Sequence, residues 1–91
     1  MKRQLLLCLA IISFLSNSGF AQKAKIAAAD KKYNSYAYID AIQTYERLAE
    51  KGYQSVEMFE KLGNAYYFNS DFEKAVQSYE KLYQLQSELA P

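Results

Sequence analysis

The chain has 91 residues, with 11 basic and 10 acidic side chains, a net charge of +1 and no histidine. Ninety-one residues hold one small domain at most, and so even a charge balance supplies no basic stripe for nucleic acid. The only cysteine is Cys8, inside an apolar run, so the chain offers neither a histidine base nor a nucleophilic thiol in a folded site, and an enzyme is not expected.

Residues 1–21 read as a secretory signal peptide. Lys2 and Arg3 give the positive start, and Leu5 to Leu15 form an apolar run broken only by Ser13. Gly19 and Ala21 are the small residues a signal peptidase needs, which puts the cut between Ala21 and Gln22. A retained anchor would need about 20 apolar residues, more than this run has. Removing the leader leaves 70 residues with a net charge of −1 and no cysteine. The expected product is exported, periplasmic or outer-membrane associated, without disulfides and without a transmembrane helix in the mature chain.

The remaining sequence predicts four helices and no strand, because no stretch alternates with period two. The first runs from about Lys23 to Asn34, around the helix-favouring run Ala27-Ala28-Ala29. Asn34-Ser35 makes a polar turn. The second helix covers about Ala37 to Lys51, with Tyr38, Ala41, Ile42, Tyr45, Leu48 and Ala49 on one face. Gly52 follows as its C-terminal stop. Ser55 caps the third helix, whose stripe is Phe59, Leu62, Gly63, Tyr66 and Tyr67. Asn69-Ser70-Asp71 turns into the fourth, whose stripe is Phe72, Ala75, Val76, Tyr79, Leu82 and Tyr83, ending near Glu88. The expected shared core is Tyr38, Ala41, Tyr45, Leu62, Gly63, Tyr66, Ala75, Tyr79 and Leu82.

An internal repeat orders these helices. Tyr38-Ile-Asp-Ala-Ile-Gln-Thr-Tyr-Glu-Arg-Leu48 returns as Phe72-Glu-Lys-Ala-Val-Gln-Ser-Tyr-Glu-Lys-Leu82, shifted by 34 residues throughout. A period near 34 with helical patterning marks stacked helix-turn-helix repeats, which bind other proteins and rarely carry chemistry. Residues 56–87 resemble a tetratricopeptide repeat. Phe59, Leu62, Gly63 and Tyr66 stand at its first-helix positions, and Phe72, Ala75, Tyr79 and Leu82 at its second-helix positions. Ser87 replaces a frequent proline, and Leu82 a usual alanine. The earlier repeat matches through Tyr38, Ala41, Tyr45 and Leu48. Its first helix puts Lys25, Ala28, Ala29 and Lys32 at the other four positions, so a loosely held, cap-like helix is expected there.

The resemblance implies an all-α fold of two antiparallel helix-turn-helix repeats, residues 22–54 and 55–91, forming a fragment of a right-handed α-solenoid. The end at Ala90-Pro91, just past the second repeat, leads us to expect more sequence in the natural protein. The leader ending Phe20-Ala21-Gln22, with Tyr-Ile-Asp-Ala-Ile and Lys-Leu-Gly-Asn-Ala-Tyr-Tyr-Phe-Asn downstream, is similar to the start of certain OmpA-family cell-envelope proteins. Some of these are associated with type IX secretion and gliding.

By that resemblance, the first helix of each pair lines a ligand groove. Glu57, Glu60, Asn64, Tyr67 and Phe68 come from the second repeat, and Lys23, Ile26, Asp30, Tyr33 and Asn34 from the first. The selected binding residues are Tyr33, Asn64, Tyr67 and Phe68. Asn64 is the most suggestive, since its amide both donates and accepts. Glu57 and Glu60 lack a third donor and read as a solvated acidic face, so no metal site and no cofactor are expected. Gly52 and Gly63 stand apart and make no phosphate loop. Two functions fit: a segment that binds a protein or peptide of the envelope, or a structural spacer that packs against other domains of its own protein.

Overall fold

A computed structural model describes residues 19–89, and these are all-α, with four helices. Residues 1–18 of the expected leader lie outside the described residues. Helix α1 covers residues 19–34, α2 Tyr38–Glu50, α3 Val56–Phe68 and α4 Phe72–Leu89. Helix α1 is thus already helical at Gly19, four residues before the predicted start and across the expected cleavage point. None of the described helices is long and apolar enough to cross a membrane.

The turns are set by local chemistry. Three helix ends close with the same pair of bonds. The residue in the left-handed region donates its N–H three residues back, and the next residue donates five back. The left-handed positions are Tyr36 (φ 65°), Gly52 (φ 95°) and Ser70 (φ 64°). Only the middle one is the expected glycine. Ser55 Oγ accepts the Met58 N–H at 3.0 Å, the N-cap the sequence indicates.

The order of contacts gives the topology. Asp30 meets Tyr45, and Asn64 meets Tyr79. Each pair folds back about its own turn, so α1/α2 and α3/α4 are antiparallel hairpins. Tyr33 meets Asn64 and Asp30 meets Lys61, both at a separation of 31 residues, so α1 and α3 run parallel. Helix α3 also packs on α2. A groove over Phe59, Leu62 and Tyr66 of α3 separates Glu46 and Glu50 of α2 from Lys74 and Lys81 of α4. Helices α2 and α4 therefore lie on the same side of α3.

The core holds Ala29, Ala41, Ile42, Tyr45 and Leu48 from the first hairpin and Met58, Phe59, Leu62, Ala65, Tyr66, Ala75 and Leu82 from the second. Of the nine expected core residues, Tyr38 and Tyr79 are only partly buried. Met58, Ala65 and Ser78 are buried without having been expected. The fourth stripe needs the largest correction: Phe72, Val76 and Tyr83 are exposed. The face of α4 that reaches the core is narrower, through Ala75, Ser78 and Leu82 with Tyr79 and Leu85 partly covered. Of the four α1 positions behind the expected loosely held helix, Lys25, Ala28 and Lys32 are exposed. Ala29 is fully buried, and Asp30 and Tyr33 bond to α2 and α3.

The 34-residue period survives to the level of single bonds. Tyr45 Oη donates to Asp30 Oδ1 at 2.5 Å, and 34 residues on Tyr79 Oη donates to Asn64 Oδ1 at 2.5 Å. The Tyr33–Tyr38 edge-to-face pair, with centroids 5.8 Å apart, returns as Tyr67–Phe72 at 5.4 Å. The left-handed turn residues Tyr36 and Ser70 are 34 apart as well. Gly63 stands where the first hairpin has Ala29. The Tyr79 ring lies so close that a Cβ on Gly63 would meet its Cε1 at 2.6 Å.

Candidate functional site

The four binding residues read from the sequence form two adjoining groups that Tyr38 connects, through its edge-to-face contact with Tyr33 and its stack on Phe68. Tyr33 and Asn64 face each other inside the helical assembly. Asn64 Oδ1 accepts from Tyr79, and Asn64 Nδ2 donates to Tyr33 Oη at 3.3 Å. One amide thus ties α1, α3 and α4 together. One amide hydrogen and one lone pair remain for another partner. Asn64 is half-buried, so such a partner would have to approach from the open side of this bridge.

A second polar bridge lies one turn away. Asp30 accepts from Tyr45 and pairs with Lys61 Nζ at 3.2 Å, joining α1, α2 and α3. Burial, and then the Asp30 carboxylate beside it, push the Tyr45 phenol far above its usual range. Burial also raises Tyr79, with Tyr33 the next cause. Both hydroxyls are donors at neutral pH, so the two bridges act as fixed cross-ties.

Tyr67 and Phe68 lie beside this bridge, toward the edge where the α1–α2 and α3–α4 turns come together. Both are more than half exposed. They belong to a continuous aromatic row. Tyr36 meets Tyr38 with centroids 6.2 Å apart, Tyr38 stacks on Phe68 at 5.1 Å, Phe68 meets Tyr67 at 5.9 Å, and Tyr67 meets Phe72 at 5.4 Å. The Tyr38–Phe68 stack joins the two hairpins. Tyr36 is 80% exposed, and Ile39 and Phe72 extend the apolar surface. Monomeric proteins seldom expose so much contiguous apolar surface without a use for it. Tyr36, Tyr38 and Phe72 were not among the selected site residues. The signal that could have found Tyr38 and Phe72 is the equivalence of Tyr33-Tyr38 with Tyr67-Phe72 across each turn; Tyr36, whose counterpart is Ser70, had none.

Beside the row is a depression of about 390 Å³ lined by Tyr36, Ala37, Tyr38, Ile39, Asp40 and Asn69. The α2/α4 groove is of similar size, about 370 Å³, but three of its charged residues already have internal contacts. Glu46 accepts from the Tyr66 hydroxyl, Lys74 Nζ lies 5.8 Å from the Tyr66 ring centre, and Lys81 Nζ lies 5.9 Å from that of Phe59. Among the described residues no group of three or more acidic, cysteine or histidine side chains could hold a metal ion. Nothing in either site arranges a nucleophile beside a base. What the surface offers is stacking area, a few hydrogen-bonding groups and one carboxylate. Comparison with known protein families, with characterised proteins and with solved structures finds no match to this chain.

Proposed function

We propose that residues 22–91 are the tetratricopeptide-like interaction segment of an exported protein of the OmpA-family envelope type, and that the segment docks a protein or peptide of the cell envelope. The observation that carries the interaction reading is the exposed aromatic row from Tyr36 to Phe72. The tetratricopeptide reading is supported by the 34-residue recurrence of hydrogen bonds, turn residues and ring pairs. Repeats 22–54 and 55–91 would then be successive units of a right-handed α-solenoid.

Export rests on the charged start, the short apolar run and the Gly19-Phe20-Ala21 ending. A cut after Ala21 is compatible with the helical assembly. Among the described residues, Ile26 is the first hydrophobic side chain of α1 packed against the core, so a cut after Ala21 removes none of the core residues named above. N-terminal sequencing of the protein recovered from the envelope fraction tests this. A mature start at Gln22 is expected, and an intact Met1 would refute it.

A spacer role is favoured by a different observation: α4 leaves Val76 and Tyr83 exposed, a face suited to covering by a further domain of the same protein. A photo-crosslinking side chain placed at position 67, and separately at 83, decides between the two. The interaction reading expects a crosslink to another polypeptide from 67. The spacer reading expects only intramolecular products from both.

A further inference from the structure

We infer that the aromatic row and its adjoining depression form a docking site for an extended apolar peptide bearing an arginine, with Asp40 receiving the guanidinium. The inference rests on the interaction reading above and adds the chemistry of the occupant.

The depression has aromatic and aliphatic walls from Tyr36, Tyr38 and Ile39, with Asp40 and Asn69 at its polar rim. Its lining includes an acidic side chain and no basic one. The ion pair among the described residues is Lys61–Asp30, so Asp40 has no basic partner there. Lys31 and Lys32, in the last turn of α1, do not line the depression. An arginine suits such a place better than other side chains. Its methylene stem covers apolar wall, its planar head stacks on tyrosine faces, and its fork of donors matches a carboxylate. A lysine would bring a point charge without the stacking plane.

The rest of the row sets the neighbours of that arginine. Beyond Tyr38 come Phe68, Tyr67 and Phe72, with ring-to-ring steps of 5.1, 5.9 and 5.4 Å. At about 3.3 Å per residue, the whole row is within reach of roughly seven residues of extended chain. Apolar or aromatic peptide side chains would lie on these rings, with the arginine at the Tyr36 end. Helix α3 has no basic residue in its last turn, and Glu73 stands in the first turn of α4.

The test is selection of a random seven-residue peptide library on the full chain, followed by titration of the enriched synthetic peptides against variants. Peptides combining arginine with apolar residues are expected. Tyr67→Ala/Phe68→Ala should weaken them at least tenfold. Asp40→Asn should weaken them about fivefold, and replacing the peptide arginine by glutamine should remove the difference between the Asp40→Asn variant and the parent protein. Tyr83→Ala, about three turns along α4 from Phe72, should have no effect. Circular dichroism melts confirm that each variant is folded, and the Asp40→Asn arm stands even if the double variant is not. Peptides that need the row but carry no arginine, or that bind Asp40→Asn unchanged, overturn the occupant while leaving the docking surface. Failure to enrich any peptide, or enrichment insensitive to the row variant, overturns both readings. Self-association abolished by the row variant would make a second copy the occupant and equally overturn the arginine peptide.

Discussion

The two hairpins share a plan but differ in how far each is enclosed. In the first, Tyr45 is fully buried and Ile42 is 8% exposed. In the second, the equivalent Tyr79 is half-buried and Val76 is 54% exposed. Helix α2 is held by α1 through the Tyr45–Asp30 bond and by α3 through packing. The described contacts of α4 are chiefly with α3. The same side-chain pattern thus produces a core where a helix has neighbours on two sides and a surface where it has one. The polar cross-ties differ in kind as well. The first hairpin uses a carboxylate, Asp30, shared between Tyr45 and Lys61, and the second uses a neutral amide, Asn64, shared between Tyr79 and Tyr33.

Truncation at equivalent positions should expose this difference most strongly. Tyr45→Ala is expected to cost about 3–5 kcal/mol, the range for large buried aromatics. Tyr79→Ala should cost about 2–3 kcal/mol, since part of its ring already faces water. Ile42→Ala should cost about 2 kcal/mol or more, while Val76→Ala should stay within about 0.5 kcal/mol. Urea unfolding monitored by circular dichroism measures all four. Equal losses in the two hairpins would show that both are equally enclosed.

The close approach of Gly63 and Tyr79 gives the next effect. Gly63→Ala should destabilise by about 1–2 kcal/mol, because overpacking against the ring outweighs the helix-propensity gain of about 1 kcal/mol. In a Tyr79→Ala background the same change should become stabilising, since the obstructing ring is gone. Ala29→Gly, at the equivalent place in the first hairpin, should cost about 1 kcal/mol for the opposite reason: there the methyl is accommodated. A Gly63→Ala that stabilises the parent chain would disprove the ring contact.

Alkaline pH probes the cross-ties. Folding raises the phenol pKa of Tyr45 and, with it, that of Tyr79. The folded state then keeps protons that the unfolded state releases above about pH 10. Stability from each tyrosine is therefore complete below about pH 10 and declines as pH rises, by up to about 1.4 kcal/mol per pH unit and group. Tyr45→Phe should flatten that decline more than Tyr79→Phe in denaturant titrations between pH 9 and about 11.5. An unchanged slope for Tyr45→Phe would mean that its hydroxyl is not held as described.

The smallest effect concerns the turns. Tyr36 and Ser70 both occupy the left-handed region, which costs a non-glycine residue about 1–2 kcal/mol. Ser70→Gly should stabilise by up to about 1 kcal/mol, the relief being reduced by the greater freedom of glycine when unfolded. Tyr36→Gly should gain less, because it also gives up the ring contact with Tyr38. A loss of stability at Ser70→Gly would show that the turn does not carry this strain.

The helical class, the turn positions and the small residues of the crossing were legible in the chain alone. These are local or periodic properties: apolar spacing near 3.6, the Ser55 cap, Gly52 after Lys51, and the 34-residue offset that pairs Ala41 with Ala75 and Tyr45 with Tyr79. Which apolar stripe became core was settled by helix packing. Val76 and Tyr83 have the same credentials in sequence as Ile42 and Ala49, and their exposure follows from which helices lie beside α4. Packing also gave the candidate-site residues different roles. Asn64 and Tyr67 are three residues apart on one helix, yet one is drawn into a bridge to Tyr33 and Tyr79 while the other joins a row of rings on the turn edge. Spacing along a helix assigns a residue to a face. Whether that face meets a neighbour, and whether a polar group on it finds an internal partner, depends on elements brought together by the fold, such as Tyr38 of α2 against Phe68 of α3.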